Sequence, residues 1–284
     1  MIHTTHSFVH RGHELVYDIY GTDGPLLVYV HGLLLDSDLN RGIATALAER
    51  GNRVVLLDLL GHGRSERPTH ATEYRIDSYA DQVFALLDEL GAPSAVLGGL
   101  SLGANVSLFA ASQHPERVKG LVLEMPVLEW AVPSAALIFS PMLLLAHYAR
   151  SPLRWLGSAL SHLPSTPFDP LNSIIHAGTQ SPDVMAAVLH GVLVGPVAPT
   201  VEARKSITAP TLVLAHRHDL IHPFNDADNL ARQLQDVRLV PAHSPLELRM
   251  RPGRLTEEIS GFLDQVSKPE GRARTTRPTK RKAG

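Results

Sequence analysis

The apolar, glycine-containing run Ala95 to Leu100 leads into Gly99-Leu100-Ser101-Leu102-Gly103, and a stretch of helical composition follows from Leu102 to His114. No other feature of the chain constrains its fold as tightly. A strand that passes through one serine into a helix must reverse within a residue or two, and glycines at 99 and 103 remove side chains that would collide there. The serine is then held in a strained conformation at the carboxyl edge of a sheet. The amides and the positive dipole end of the helix are aimed at its surroundings.

The rest of the chain repeats the same alternation. Glu14 to Tyr20 alternates like a half-buried strand, Leu26 to Val30 is continuous and apolar like a central one, and Leu39 to Arg50 is helical in composition until Gly51. Arg53 to Leu59 is again a strand. Tyr79, Val83, Leu86, Leu87 and Leu90 share one helical face between a cap at Asp77 or Ser78 and a stop at Gly91. Val118 to Met125, Thr211 to Ala215 and Val237 to Val240 are further strands, and Asp226 to Leu234 and Leu255 to Val266 are helices. This pattern predicts an α/β fold, a mostly parallel sheet with helices on both faces. Between about Val127 and Ser206 the chain is rich in Pro, Leu and Ala, carries Trp130 and Trp155, and has no β run. An inserted helical cap is predicted there. The expected organisation is a core of residues 1–126 and 207–267, a cap of residues 127–206 and a basic, disordered tail of residues 268–284.

With 284 residues and 44% hydrophobic content, the chain can bury one substantial core. Its net charge of −2 is uneven: seven cations against Glu270 leave residues 268–284 at +6 and the rest at −8. So acidic a body gives no reason to expect nucleic acid as a partner. Having no cysteine, the chain has no disulfide, thiol nucleophile or thiolate metal site. Met1 to His13 lacks the apolar core of a secretion signal, so a cytoplasmic location is expected. The uncharged run Ala131 to Ala146 falls short of the roughly 20 residues of a spanning helix, and Pro133 and Pro141 interrupt it, so no stable membrane insertion is expected. The oligomeric state is left open.

A serine hydroxyl is a weak nucleophile and needs a base that an acid orients. Asp219 lies just beyond the strand at 211–215 and His243 just beyond the strand at 237–240, so both emerge on the same sheet edge as Ser101. Ser101, Asp219 and His243 are the expected catalytic residues. Three histidines flank Asp219, but His216, His218 and His222 have no second ligand cluster nearby, so they are read as surface or supporting groups and no metal is expected. Glu124, at the end of the strand before the cap, is a secondary candidate for the acid. Leu137, Ile138, Met142, Leu143, Leu144 and Leu145 are expected to divide between the core of the cap and the wall of a pocket.

Taken with the Ser101 motif, several segments resemble the α/β-hydrolase superfamily. His31-Gly32 is similar to its oxyanion loop, and Asp58-Leu59-Leu60-Gly61-His62-Gly63-Arg64-Ser65 to its D-x-x-G-x-G-x-S turn. His218-Asp219-Leu220-Ile221-His222-Pro223 resembles the acid loop and Ala242-His243-Ser244-Pro245-Leu246-Glu247 the histidine loop, although His216 and Ala242 stand where the family often has glycine. The resemblance implies an oxyanion hole made by the backbone amides of Leu33 and Leu102. It also implies a cofactor-free serine hydrolase that acts through an acyl-enzyme. The sparsely charged cap suggests a small, largely apolar acyl substrate, with His31, Trp130 and Met142 as candidate contacts. A C–C bond hydrolase or lactonase with the same triad, and a non-catalytic small-molecule receptor on the same fold, stay open as alternatives.

Overall fold

In the computed structural model of the chain, the described residues are 3–217, 219 and 221–268. His218, Leu220 and all but the first residue of the expected basic tail lie outside them. Eight strands form one sheet: β1 His3–His10, β2 His13–Tyr20, β3 Leu26–Val30, β4 Arg53–Asp58, β5 Ala95–Leu100, β6 Val118–Glu124, β7 Thr211–His216 and β8 Val237–Ala242. Their order across the sheet is β1-β2-β4-β3-β5-β6-β7-β8. β2 runs antiparallel to both neighbours, and β3 to β8 are parallel.

The helices are α1 Arg41–Ala48, α2 Ile76–Glu89, α3 Leu102–Gln113, α4 Val132–Tyr148, α5 Arg150–Ser161, α6 Asp169–Thr179, α7 Pro182–Val194, α8 Val201–Lys205, α9 Phe224–Gln233, α10 Glu247–Met250 and α11 Gly253–Ser267. Alternation along the strands divides the core into two layers. Leu27, Tyr29, Val54 and Leu56 meet Leu47 of α1 and Ile259 and Leu263 of α11 on one face. Val28, Val30, Val55 and Leu57 meet α2, α3 and α9 on the other. The sheet is thus covered on both sides, as the continuous apolar runs in the sequence predict.

Between β6 and β7 the chain leaves the sheet for the five helices α4 to α8, which supply the cap. Asp226, fully buried in α9, holds its root: its carboxylate accepts hydrogen bonds from the amides of Leu128 (2.8 Å), Trp130 (3.0 Å) and Ala131 (3.0 Å). On the far side, Ser173 Oγ of α6 accepts from the Asp36 amide at 3.1 Å, and His176 Nδ1 donates to the Asp36 carboxylate at 2.8 Å. Besides the short helix α10, the strand β1 was not expected. It is an edge strand with Phe8 its one buried side chain, so both of its faces are mostly polar and no buried period marks it.

Candidate active site

Ser101 sits between the last residue of β5 and the first of α3 with φ +52° and ψ −106°. This left-handed conformation of a non-glycine residue is held from several sides. The Ser101 amide donates to the carbonyl of Glu124 at 2.8 Å, and its carbonyl accepts from the Asn105 amide at 3.1 Å. A Cβ on Gly99 would come within 2.4 Å of the Val30 carbonyl oxygen, and one on Gly103 within 2.3 Å of the same atom. The packing of β3 against this turn therefore requires glycine at both positions.

The loop from β7 to α9 brings two side chains to the serine. His222 Nε2 accepts a hydrogen bond from Ser101 Oγ at 2.9 Å, and His222 Nδ1 donates to Asp219 Oδ2 at 3.0 Å. Both partners fix the ring, so Nδ1 carries the proton and Nε2 faces the hydroxyl. Asp219 is pinned in turn, because Oδ1 accepts from the amides of Ile221 (2.8 Å) and His222 (3.0 Å). Burial opposes ionisation of Asp219, but the hydrogen bond and charge of His222, helped by these amides, lower its pKa to about 2. Two residues separate Asp219 from His222, on one turn.

His243, expected as the base, stands elsewhere. Its side chain is 79% exposed, and its Nδ1 lies 3.3 Å from Glu247 Oε2. Glu247 also accepts from the His243 amide and from Arg254, and His216 Nε2 donates to the His243 carbonyl at 3.1 Å. These contacts fix the backbone of the loop after β8 with the imidazole turned to solvent. The ring that meets Ser101 comes instead from His222, expected only as a surface or supporting residue.

Leu33 and Leu102 both border Ser101, and Leu102 opens α3, where an amide has no intrahelical acceptor. His31 does not face a ligand. It is fully buried, its Nδ1 donates to the Gly32 carbonyl at 2.8 Å and its Nε2 accepts from the Leu59 amide at 3.1 Å. Burial lowers its pKa, so the neutral ring braces the loop after β3 against the end of β4. His62, whose ring is tilted 43° to it at 4.8 Å, is likewise held neutral by burial. Trp130 is 60% exposed, and Met142 packs against the core layer behind the cap. Leu137, Leu144 and Leu145 of the expected stripe are exposed and do not line the space around Ser101. Phe139, which sequence reasoning passed over, is the cap residue that borders Ser101's surroundings on both sides.

Two cavities meet at Ser101. The larger, about 270 Å³, is walled by Leu35, Leu39, Leu100, Met125 and Ile174, and the smaller, about 60 Å³, by Ile76, Leu102, Val127, Ala135 and Val192. Arg249 touches the larger one but is already neutralised. Its guanidinium pairs with Glu124, whose other oxygen accepts from Tyr29 Oη at 2.6 Å, and with Asn40 Oδ1 at 2.8 Å. Glu124, the secondary candidate for the acid, is therefore occupied by Tyr29 and Arg249 and does not orient a histidine.

Among the described residues, one group of metal-ligand type occurs, Asp36, Asp38 and His176. Its carboxylates are already partnered, Asp36 by His176 and Asp38 by Arg41 at 2.7 Å. Arg64 and Arg67 border the same hollow, which makes it a poor host for a cation.

Comparison with known proteins places these features in context. A family profile described as the alpha/beta hydrolase fold matches residues 25–150. The chain is 31% identical over 277 residues, covering 90% of itself and 98% of the relative, to a Variovorax paradoxus protein named "Putative carbamate hydrolase RutD". It is 35% identical over 101 residues to a haloalkane dehalogenase of Mycolicibacterium paratuberculosis, a match that spans 36% of this chain and 34% of that protein. Several such relatives are matched over only about a third of their length. Among solved structures, the enol-lactonase from Burkholderia xenovorans LB400 superposes with a TM-score of 0.73 at 22% identity, covering 91% of this chain and 99% of that one.

Proposed function

Because the chain belongs to the alpha/beta hydrolase fold family, we propose that it is a serine hydrolase that cleaves a small, uncharged carboxylic ester or related acyl bond, with Ser101 as nucleophile, His222 as base and Asp219 as acid. The observation that carries this reading is the continuous line from Ser101 Oγ through His222 to Asp219, at 2.9 and 3.0 Å. The Ser101 proton moves to His222 Nε2 as Oγ attacks the acyl carbon, and Asp219 holds Nδ1–H and stabilises the imidazolium. The oxygen that gains charge is met by the Leu33 and Leu102 amides, donors of a kind that contribute about 3 kcal/mol each. His222 then returns its proton to the leaving alcohol. Water, deprotonated by the same nitrogen, hydrolyses the acyl-serine and restores the hydroxyl.

The apolar cavities on either side of Ser101 support small uncharged groups on both sides of the scissile bond. A charged ligand would be desolvated there with no free partner, since Arg249 already answers Glu124. A lactone, as a cyclic ester, falls within the same chemistry.

Fluorophosphonate labelling and hydrolysis of p-nitrophenyl esters of increasing chain length test the proposal. Ser101→Ala is expected to abolish labelling. His222→Ala is expected to lower kcat/KM by about ten-thousandfold, while His243→Ala leaves it within a few-fold. The reverse order for the two histidines would give the base to His243 and sink the assignment to His222. Folded protein that neither labels nor turns over would support the receptor alternative instead.

A further inference from the structure

The outward face of α4 is mostly apolar and carries no Asp, Glu, Lys or Arg along its whole length. A helix on the surface of a globular domain normally turns charged residues to solvent, yet the exposed positions of α4 are Val132, Pro133, Ala136, Leu137, Ser140, Pro141, Leu144, Leu145, His147 and Tyr148. Leu137, Ser140, Leu144 and Tyr148 follow one another at helical spacing, and Leu137 and Tyr148 are 78% and 81% exposed. The helix α5, bent by 100° from α4, continues the surface with Trp155 at 74% exposure and Leu156 beside it. Contiguous apolar surface on this scale marks a contact site.

Charge and aromatic placement indicate what it contacts. From Trp130 to Phe168 the chain holds no aspartate or glutamate, whereas residues 1–267 as a whole are strongly acidic. Arg150 and Arg154 of α5, both exposed, share the single carboxylate of Asp183, at 3.2 and 2.8 Å, so the flank of the patch keeps a positive excess. Trp130, Tyr148 and Trp155, aromatic side chains of the kind that favour a lipid–water boundary, are all exposed on this same stretch of chain. Among the described residues, no single helix is long and apolar enough to cross a membrane. We propose that α4 and α5 form a peripheral docking surface for an anionic phospholipid bilayer, with Leu137, Leu144, Leu145 and Trp155 entering the acyl boundary and Arg150 and Arg154 facing the headgroups. The acidic remainder of the body is repelled by the same surface, which fixes the orientation of the bound protein.

The two tryptophans of the chain, Trp130 just before α4 and Trp155 on α5, are both exposed, so intrinsic fluorescence reports on this surface. The full chain is mixed with vesicles of phosphatidylcholine containing about a quarter phosphatidylglycerol, and with phosphatidylcholine alone, and followed by emission and by co-sedimentation. The expected result is a blue shift and sedimentation with the anionic vesicles, with at least about tenfold weaker binding to the neutral ones. Leu137→Glu combined with Leu144→Glu is expected to abolish binding while circular dichroism and hydrolysis of a water-soluble ester stay unchanged. The milder Leu137→Ser with Leu144→Ser should weaken it. Ser101→Ala should bind as well as the parent, which separates docking from catalysis. The proposal is overturned by absence of vesicle binding, by binding that survives the double glutamate variant, or by a dimer in solution that the variant dissociates while vesicles leave the emission unmoved.

Discussion

A Cβ at residue 103 would lie 2.3 Å from the carbonyl oxygen of Val30 and 2.7 Å from its carbon, both backbone atoms at the centre of the sheet. Neither can move without displacing β3. Gly103→Ala is therefore expected to destabilise the fold by about 3 kcal/mol or more, read as a fall in the urea midpoint, even though the side chain it adds is a methyl group. A second residue-scale expectation concerns the buried pair of Glu124 and Arg249, whose side chains are 5% and 2% exposed. Arg249→Met strands a carboxylate in the core and should cost about 3 to 5 kcal/mol, whereas adding Glu124→Gln to it should recover much of that loss. Ser101 was legible in the sequence because what identifies it is local: a strand, two glycines and a helix within a few residues. The base was not. Both His222 and His243 follow parallel strands at the same edge, and which ring reaches the serine depends on the path of two loops and on Glu247 and Arg254 holding the second loop with its histidine outward.

The elements were read well wherever burial imposed a period. β3 and β5 have the limits expected from their apolar runs, and α2 presents the expected face. β1 escaped because an exposed edge strand has no buried period. It is held by pairing with β2 and by the stacking of His3 on Tyr20 and His6 on Tyr17. In the cap, composition indicated helices but could not say which face of α4 looks inward. That face carries Phe139, and Phe139→Ala should merge space into both cavities and move the chain-length optimum of p-nitrophenyl ester hydrolysis upward. The root of the cap gives a separate expectation. Asp226→Ala would leave the amides of Leu128, Trp130 and Ala131 without their acceptor, destabilising the protein by about 2 to 4 kcal/mol and raising KM more than it lowers kcat.

Across the whole molecule, stability is concentrated in the sheet and its two covering layers. α3 is almost wholly buried, while α4 buries Ala146 alone and α5 Gly157 alone. Amide hydrogen exchange should accordingly be faster in α4 and α5 than in α3, with protection lost in the cap before the core. The pH dependence of global stability should carry the signature of Asp219. Its folded pKa is about 2 against an ordinary 3.8, so its contribution is complete above the unfolded value and disappears as pH falls from about 4 towards 2. The stability difference between the parent and Asp219→Asn, measured by urea unfolding, should therefore shrink through that interval and be constant above it.

Asp219 and His222 belong to one turn, and this has a consequence for how such a molecule can be altered. On the proposed assignment, a relay whose two polar members ride on a single short cassette needs no agreement between distant loops, so the acid and base shift together if that turn shifts. The loop after β8 that carries His243 then takes no part in that relay, while Arg249 and α11 beyond it stay tied to Glu124 and to the sheet. Conversely, the cassette itself is portable: moved as a unit to the same edge of a related sheet, it would bring both groups in register with each other before either had met a nucleophile.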